Sequence, residues 1–296
     1  MISNNNKLHF FYIILLVLCT NLFSQTKDKF TVPYGENSEV GKYANVNDIK
    51  MYYEVYGKGK PLLLIHGNGG SIKNMRYQID FFSKHFKVIA VDSRAHGKTN
   101  MGLGKLTYVK MAQDYANLLN KLQIDSAYVL GWSDGGIIGL LMAINNPKKI
   151  GKLAIMGANL QPDSTAVYPW AVKMVKESRA MVNKMIAKKD TSENWQLQKM
   201  LLGLLGEQPN IKIAELHNIT APVLVCAGDK DVIREEHTLL IYQNIPKAHL
   251  AIFPGETHLT PVMNPKLFNR TVYRFFKNPF TRPDTKDLFW NNFEVR

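Results

Sequence analysis

The chain has 296 residues, 46% apolar and 21% charged, which supplies a full hydrophobic core and excludes a disordered polypeptide. Its formal net charge of +13 is a field that can draw nucleic acid or anionic surfaces. The lysines are scattered, however. The densest cluster (Lys184, Lys188, Lys189) is short, with no helix-turn-helix, RNP-like or zinc-finger spacing beside it, so no nucleic-acid partner is expected.

The first 24 residues read as a secretory signal peptide: a polar stretch with Lys7, the apolar run FYIILLVLCTNLF, and a small residue, Ser24, at the exit. Thirteen apolar-dominated residues fall short of the roughly 20 that span a bilayer. Export to the periplasm or the extracellular space is therefore expected, with no membrane span in the mature form; the alternative is an anchor formed by the uncleaved segment. Cys19 leaves with the signal, and Cys226 is then a lone thiol in the apolar run PVLVCAG, so no internal disulfide is expected. No Cys/His cluster has metal-ligand spacing, and no cofactor is expected.

Residues 25–42 read as a linker. The alternating segment 43–57 (YANVNDIKMYYEVYG) predicts a hairpin turning at Asn47-Asp48. LLLIHGNGGS follows, a continuous apolar strand broken by a glycine-rich loop, as in a parallel sheet covered on both faces. A helix over 74–84, a strand over 86–92, a helix over 107–122 opened by Thr107, a strand over 126–132, a helix from Asp134 to about Asn146 and a strand over 152–159 come next. This alternation predicts an α/β domain over 43–278, with a mostly parallel central sheet and helices on both faces. Residues 160–218 carry helical stretches without a strand, which predicts a helical cap over one end of the sheet; strands at 221–228 and 249–255 resume the pattern. The tail, 279–296, is polar with interspersed aromatic residues.

Within VLGWSDGGIIG (129–139) the pattern G-x-S-x-G places Ser133 where a strand runs in and a helix runs out, the geometry of a nucleophile on a strained turn. A hydroxyl nucleophile needs a base, and the base an orienting carboxylate. His258 ends PGETH immediately after the last strand, and its loop would emerge at the same sheet edge. VLVCAGDKDVI offers Asp229 and Asp231; Asp231, deeper in its loop, is preferred, with Asp163 a remote third. The order Ser133, Asp231, His258 makes a candidate catalytic triad. Acyl transfer also needs donors for a developing oxyanion. The N–H of Asp134 and that of Asn68, with Gly69 as the fallback, are expected to form the oxyanion hole, and His66 to play a structural role. Trp132 and Asp134 are expected to face substrate. For the Asp134 side chain, helix capping is preferred, with receipt of a cationic substrate group as the alternative.

HGNGGS, DSRAHGKT, GWSDGG, GDKD and GETH, in that order, resemble the α/β-hydrolase fold superfamily from about Tyr43 to Lys277. DSRAHGKT departs from the family's D-x-R-G-H-G-x-S signature at Ala95 and Thr99. The resemblance implies a triad of Ser133, Asp231 and His258. GWSDGG is also similar to the elbow of valacyclovir hydrolase-like esterases, which cleave esters of α-amino acids. Dehalogenases and epoxide hydrolases of this fold carry an Asp nucleophile, unlike Ser133. The expectation is an exported serine esterase acting on a small soluble ester through an acyl-enzyme. Amide or aminopeptidase-like hydrolysis, carbon–carbon cleavage, peroxidase chemistry and a non-catalytic binder of the same shape stay open.

Overall fold

The computed structural model describes residues 30–286 and Phe289. The expected signal peptide, and most of the tail beyond residue 286, lie outside the described residues. Eight strands form one sheet: β1 (Gly41–Val46), β2 (Ile49–Tyr56), β3 (Pro61–Ile65), β4 (Lys87–Val91), β5 (Ala127–Trp132), β6 (Ile150–Met156), β7 (Val223–Lys230) and β8 (Ala248–Thr257). Their spatial order is β1-β2-β4-β3-β5-β6-β7-β8; β1, β2 and β4 pair antiparallel, and every pair from β4 to β8 is parallel. After β3 the chain steps outward to β4 and then returns to the other side of β3 to lay down β5. Loops diverge at such a reversal, leaving a crevice at the carboxyl ends of the strands.

The continuous apolar strands are explained by two cores, one on each face. Leu63 and Ile65 of β3 join one buried cluster while Leu62 and Leu64 join the other. Side chains alternate across a strand, so a strand covered on both faces has no polar position to spare. The first core is closed by α2 (Tyr108–Lys121) and α3 (Asp134–Asn145); the second by α1 (Arg76–Phe82) and α9 (Pro265–Lys277), through Ile79, Phe82, Phe268 and Phe276. Thr107 caps α2 as its sequence suggests, accepting from the Lys110 N–H at 3.1 Å.

Between β6 and β7 lie α4 (Pro169–Ala187), α5 (Trp195–Glu207) and the short α6 (Ile213–Leu216). α4 and α5 pack on each other through Val182, Trp195 and Leu202. The segment entering α4 is joined to the loop after β7 by the Val167–Ile233 bridge and by the Arg234 N–H donating to the Ala166 carbonyl at 2.9 Å. α7 (Glu235–Asn244) and α8 (Thr260–Met263) follow β7 and β8.

Two local differences from the sequence reading have physical causes, and the start of the tail, on which the sequence made no choice, is also placed. Residues 30–40, part of the expected linker, lie against the domain, where the Gly35 and Asn37 N–H groups donate to the buried Glu54 carboxylate at 2.8 and 3.0 Å. β6 stops at Met156 rather than Asn159, because Gly157 turns the chain with φ +63°. The start of the tail packs back: Phe280 stacks on His249 at 4.6 Å, and His249 Nε2 meets the Thr281 carbonyl at 2.7 Å.

The segment DSRAHGKT is organised by Arg94, whose side chain is fully buried. Its guanidinium donates to both oxygens of buried Asp114 on α2 (2.7 and 2.8 Å), to Asp48 at 2.7 Å and to the Met101 carbonyl. Removing one partner of a buried pair strands the other charge. Arg94→Leu is expected to lower the free energy of unfolding by about 3–5 kcal/mol, measured as a fall in the urea midpoint with the slope unchanged.

Candidate active site

Ser133 separates β5 from α3 with φ +57° and ψ −122°, a conformation that side-chain-bearing residues rarely occupy. Its neighbours leave little alternative. A Cβ on Gly131 would lie 2.1 Å from the Gly135 carbonyl oxygen, and one on Gly135 would lie 2.1 Å from that of Ile65. The strand, the elbow and the helix can approach this closely only with glycine at both positions. The strained turn is pinned by Ser133 N–H to the Met156 carbonyl (2.8 Å) and by the Gly136 N–H to the Ser133 carbonyl (2.7 Å).

The structure brings Ser133, His258 and Asp231 together from three loops. Ser133 Oγ is 2.9 Å from His258 Nε2, and His258 Nδ1 is 2.6 Å from Asp231 Oδ1. The Asp231 side chain is fully buried, and the Ile233 N–H also donates to it at 3.1 Å. Burial works against the charged form of His258; the charge and hydrogen bond of Asp231, with a smaller contribution from Asp134, oppose that and leave the imidazole pKa raised above its ordinary value. Gly157 makes room for the pair, since a Cβ there would sit 2.5 Å from His258 Nδ1. Nothing in the sequence singled out Gly157.

The other candidates are placed elsewhere. Asp229 accepts from the Gly255 N–H at 2.9 Å and helps to shape the turn before His258. Asp163 is exposed and accepts from Thr165. His66 is buried; its Nε2 accepts from the Ser93 N–H at 3.0 Å, so Nδ1 carries the proton toward the Gly67 carbonyl at 2.7 Å. Burial pushes its pKa down to about 4, in keeping with a neutral structural role. The loop after β3 lies directly against the nucleophile: a Cβ on Gly67 would be 3.0 Å from that of Ser133. Asn68 follows immediately. The Asp134 amide belongs to the first turn of α3, where N–H groups have no carbonyl four residues back.

The structure puts Ser133, not Asp134, at the N-cap; the Ser133 side chain makes no cap bond, and Asp134 stands in the first turn of α3, where negative charge is favoured. The buried Asp134 carboxylate lines the cavity in front of Ser133 and accepts from Asn68 Nδ2 at 2.9 Å, with the Tyr108 phenol beside it. Burial pushes its pKa up to about 6, against the opposing influence of those two neighbours. Asn68 Nδ2 also reaches the Leu201 carbonyl of α5 at 3.1 Å, tying the loop to the cap, while Asn68 Oδ1 is buried without a hydrogen-bond partner among the described residues. Trp132 lines the cavity as expected, but its indole N–H is directed to the His258 carbonyl at 2.8 Å.

The cavity holds about 400 Å³. Its floor is Ser133, His258 and Asp134, and its roof is apolar: Trp170, Met174 and Val175 of α4 with Leu202 and Leu205 of α5. These roof residues, along with Tyr108 and Gln208, were not legible as site residues. Helical periodicity says which face of α4 is apolar, not what that face covers. Among the described residues there is no cluster of three or more His, Cys, Asp or Glu side chains that could hold a metal ion, and no helix is long and apolar enough to cross a membrane.

Comparison with known proteins agrees with this architecture. A model of the alpha/beta hydrolase fold family matches residues 60–192, from β3 through α4. RutD of Azorhizobium caulinodans, provisionally named a carbamate hydrolase, is 25% identical over 257 residues, spanning 79% of this chain and 97% of its own. The serine hydrolase BPHL of Mus musculus is 27% identical over 278 residues, 86% of this chain and 95% of that protein. A crystal structure of a hydrolase from Pseudomonas aeruginosa superposes with a TM-score of 0.67 at 25% identity, covering 82% of this chain and all of the other. With its mostly parallel eight-stranded sheet, its elbow after β5 and its helical cap, the chain has the α/β-hydrolase fold and is similar to hydrolases of that fold.

Proposed function

We propose that the protein is an exported serine hydrolase that cleaves small carboxylic esters through an acyl-enzyme, with esters of amine-bearing acids as the favoured substrates. The observation that carries this reading is the unbroken hydrogen-bonded chain Ser133 Oγ, His258, Asp231, at 2.9 and 2.6 Å. In the first step Oγ attacks the ester carbonyl while Nε2 takes the hydroxyl proton. Asp231 holds Nδ1 and stabilises the imidazolium. The backbone N–H groups of Asn68 and Asp134 meet the oxyanion, and the imidazolium then protonates the departing alkoxide. Water, deprotonated by the same imidazole, releases the acid. Export rests on the composition of residues 1–24.

The substrate preference is supported by what lies at the floor of the cavity. A carboxylate buried beside a nucleophile is costly unless something compensates it. Among the described residues, the side-chain hydrogen bond that Asp134 accepts comes from neutral Asn68, with the neutral Tyr108 phenol beside it and a smaller coulombic influence from His258. An ammonium group on the substrate would supply the missing charge, and the buried acceptor Asn68 Oδ1 would take one more of its protons. The apolar cap would then cover the rest of a small acyl or alcohol moiety.

Ser133→Ala is expected to cut turnover of p-nitrophenyl acetate by at least about 10³-fold with the melting temperature preserved; wild-type turnover in the folded variant would refute the assignment. Asp134→Asn is expected to lower kcat/KM for an amino-acid ester about tenfold or more, leaving a neutral ester of equal size within about threefold. An unchanged preference between the two esters would remove Asp134 from substrate recognition. As a base, His258 must be neutral, and its pKa is raised. For neutral esters, kcat/KM should therefore rise with pH along an acid limb whose midpoint lies above the ordinary histidine value of about 6.5. For amino-acid esters an additional loss is expected as the pH falls through about 6, where Asp134 takes up its proton.

A further inference from the structure

We infer that Trp132 is a positioning residue: its indole N–H, through the 2.8 Å bond to the His258 main-chain carbonyl, holds the base in register with the nucleophile. This rests on the reading of Ser133 and His258 as nucleophile and base. The need for such a bond follows from the sheet. Ser133 leaves β5 and His258 leaves β8, with β6 and β7 between them. Three inter-strand steps of about 4.8 Å separate the two strands, and strand twist and loop motion add up across them. A hydrogen bond from Oγ to Nε2 tolerates only a few tenths of an ångström of that variation.

The bonds that shape the His258 loop from within do not refer to the elbow. Thr260 Oγ1 donates to the Thr257 carbonyl at 2.5 Å, and the Leu259 N–H to Thr257 Oγ1 at 3.2 Å. Trp132 does refer to it, because it is the residue covalently joined to Ser133. The Trp132–Ser133 peptide, the indole bond to His258 and the 2.9 Å contact of Nε2 with Oγ close one small ring. The indole is buried at 4% exposure, so the bond competes little with water. When Nε2 accepts a proton and turnover redistributes the charge, the ring keeps the imidazole facing Oγ.

The test compares Trp132→Phe, which keeps an aromatic ring and removes the N–H, with Trp132→His, which can turn a ring N–H toward the same carbonyl. Ser133→Ala is run alongside. In W132F, kcat for p-nitrophenyl acetate and the rate of Ser133 labelling by a fluorophosphonate should fall in parallel by about 10- to 100-fold, with KM within about twofold and the melting temperature lowered by only a few degrees. W132H should recover most of the lost kcat. A folded W132F with wild-type kcat and labelling rate overturns the inference, as does a loss of kcat that W132H leaves uncorrected. If W132F does not fold, a folded W132H labelled at less than a tenth of the wild-type rate overturns it, and one labelled near that rate supports it. An active S133A would instead refute the catalytic reading itself, whatever the Trp132 variants do.

Discussion

Everything in this molecule that bears on chemistry is arranged around a single strained residue. Ser133 is held at φ +57° between a strand and a helix, a conformation that costs of order 1–3 kcal/mol and persists only where its surroundings overdetermine it. Here they do. Gly131 and Gly135 let β5, α3 and the end of β3 come into backbone contact, and the Met156 carbonyl takes the Ser133 N–H. The strain lifts the hydroxyl clear of the sheet and aims the first turn of α3 at the same space. Relaxing the turn would lower Oγ into the sheet edge and take the helix amides with it.

The remaining parts are carried to that point by the order of the strands. The loop after β3 lies on one side of the elbow, since β3 and β5 are neighbours where the chain reverses its direction across the sheet. The loops after β7 and β8 come from the other side. Gly228 lets the ends of β7 and β8 that carry these loops come into contact: a Cβ there would lie 2.3 Å from the Glu256 carbonyl oxygen. Gly157 lets both lean over β6 toward Ser133. Close backbone approach, more than any polar contact, is what delivers Asp231 and His258.

An apolar roof over this polar floor gives the site its electrostatic character. Burial pushes the Asp134 pKa up to about 6, and the His258 cation relies on Asp231 for its stability. Low local polarity strengthens every charge–charge contact that survives in the cavity, including any made with a substrate. Asn68 links the two layers, with Nδ2 on the Asp134 carboxylate below and on the Leu201 carbonyl above.

How much of this was legible in the sequence depends on whether a feature is local. Strand alternation, the hairpin at Asn47, the Thr107 cap and the strand–Gly–Ser–Gly–helix elbow are written in neighbouring residues, so the sequence by itself determined the fold class, the cap insertion and the positions of Ser133 and His258 as candidates. Their preference for Asp231 over Asp229 could be argued from loop depth, yet the choice was made by which carboxylate the sheet carries to His258 Nδ1. The end of β6 was misplaced because Gly157 turns the chain with a positive φ beside His258, about a hundred positions downstream, a contact that no local spacing records. Likewise the Asp134 side chain reads in the sequence first as a helix cap and only second as a wall of the pocket, until Asn68 and Tyr108 are seen beside it. Which residues of α4 and α5 face the cavity, and where the Trp132 indole donates, were decided by tertiary structure alone. Hydrogen bonds and apolar contacts between distant segments depend on where the backbone carries each side chain, and neither spacing nor composition records that.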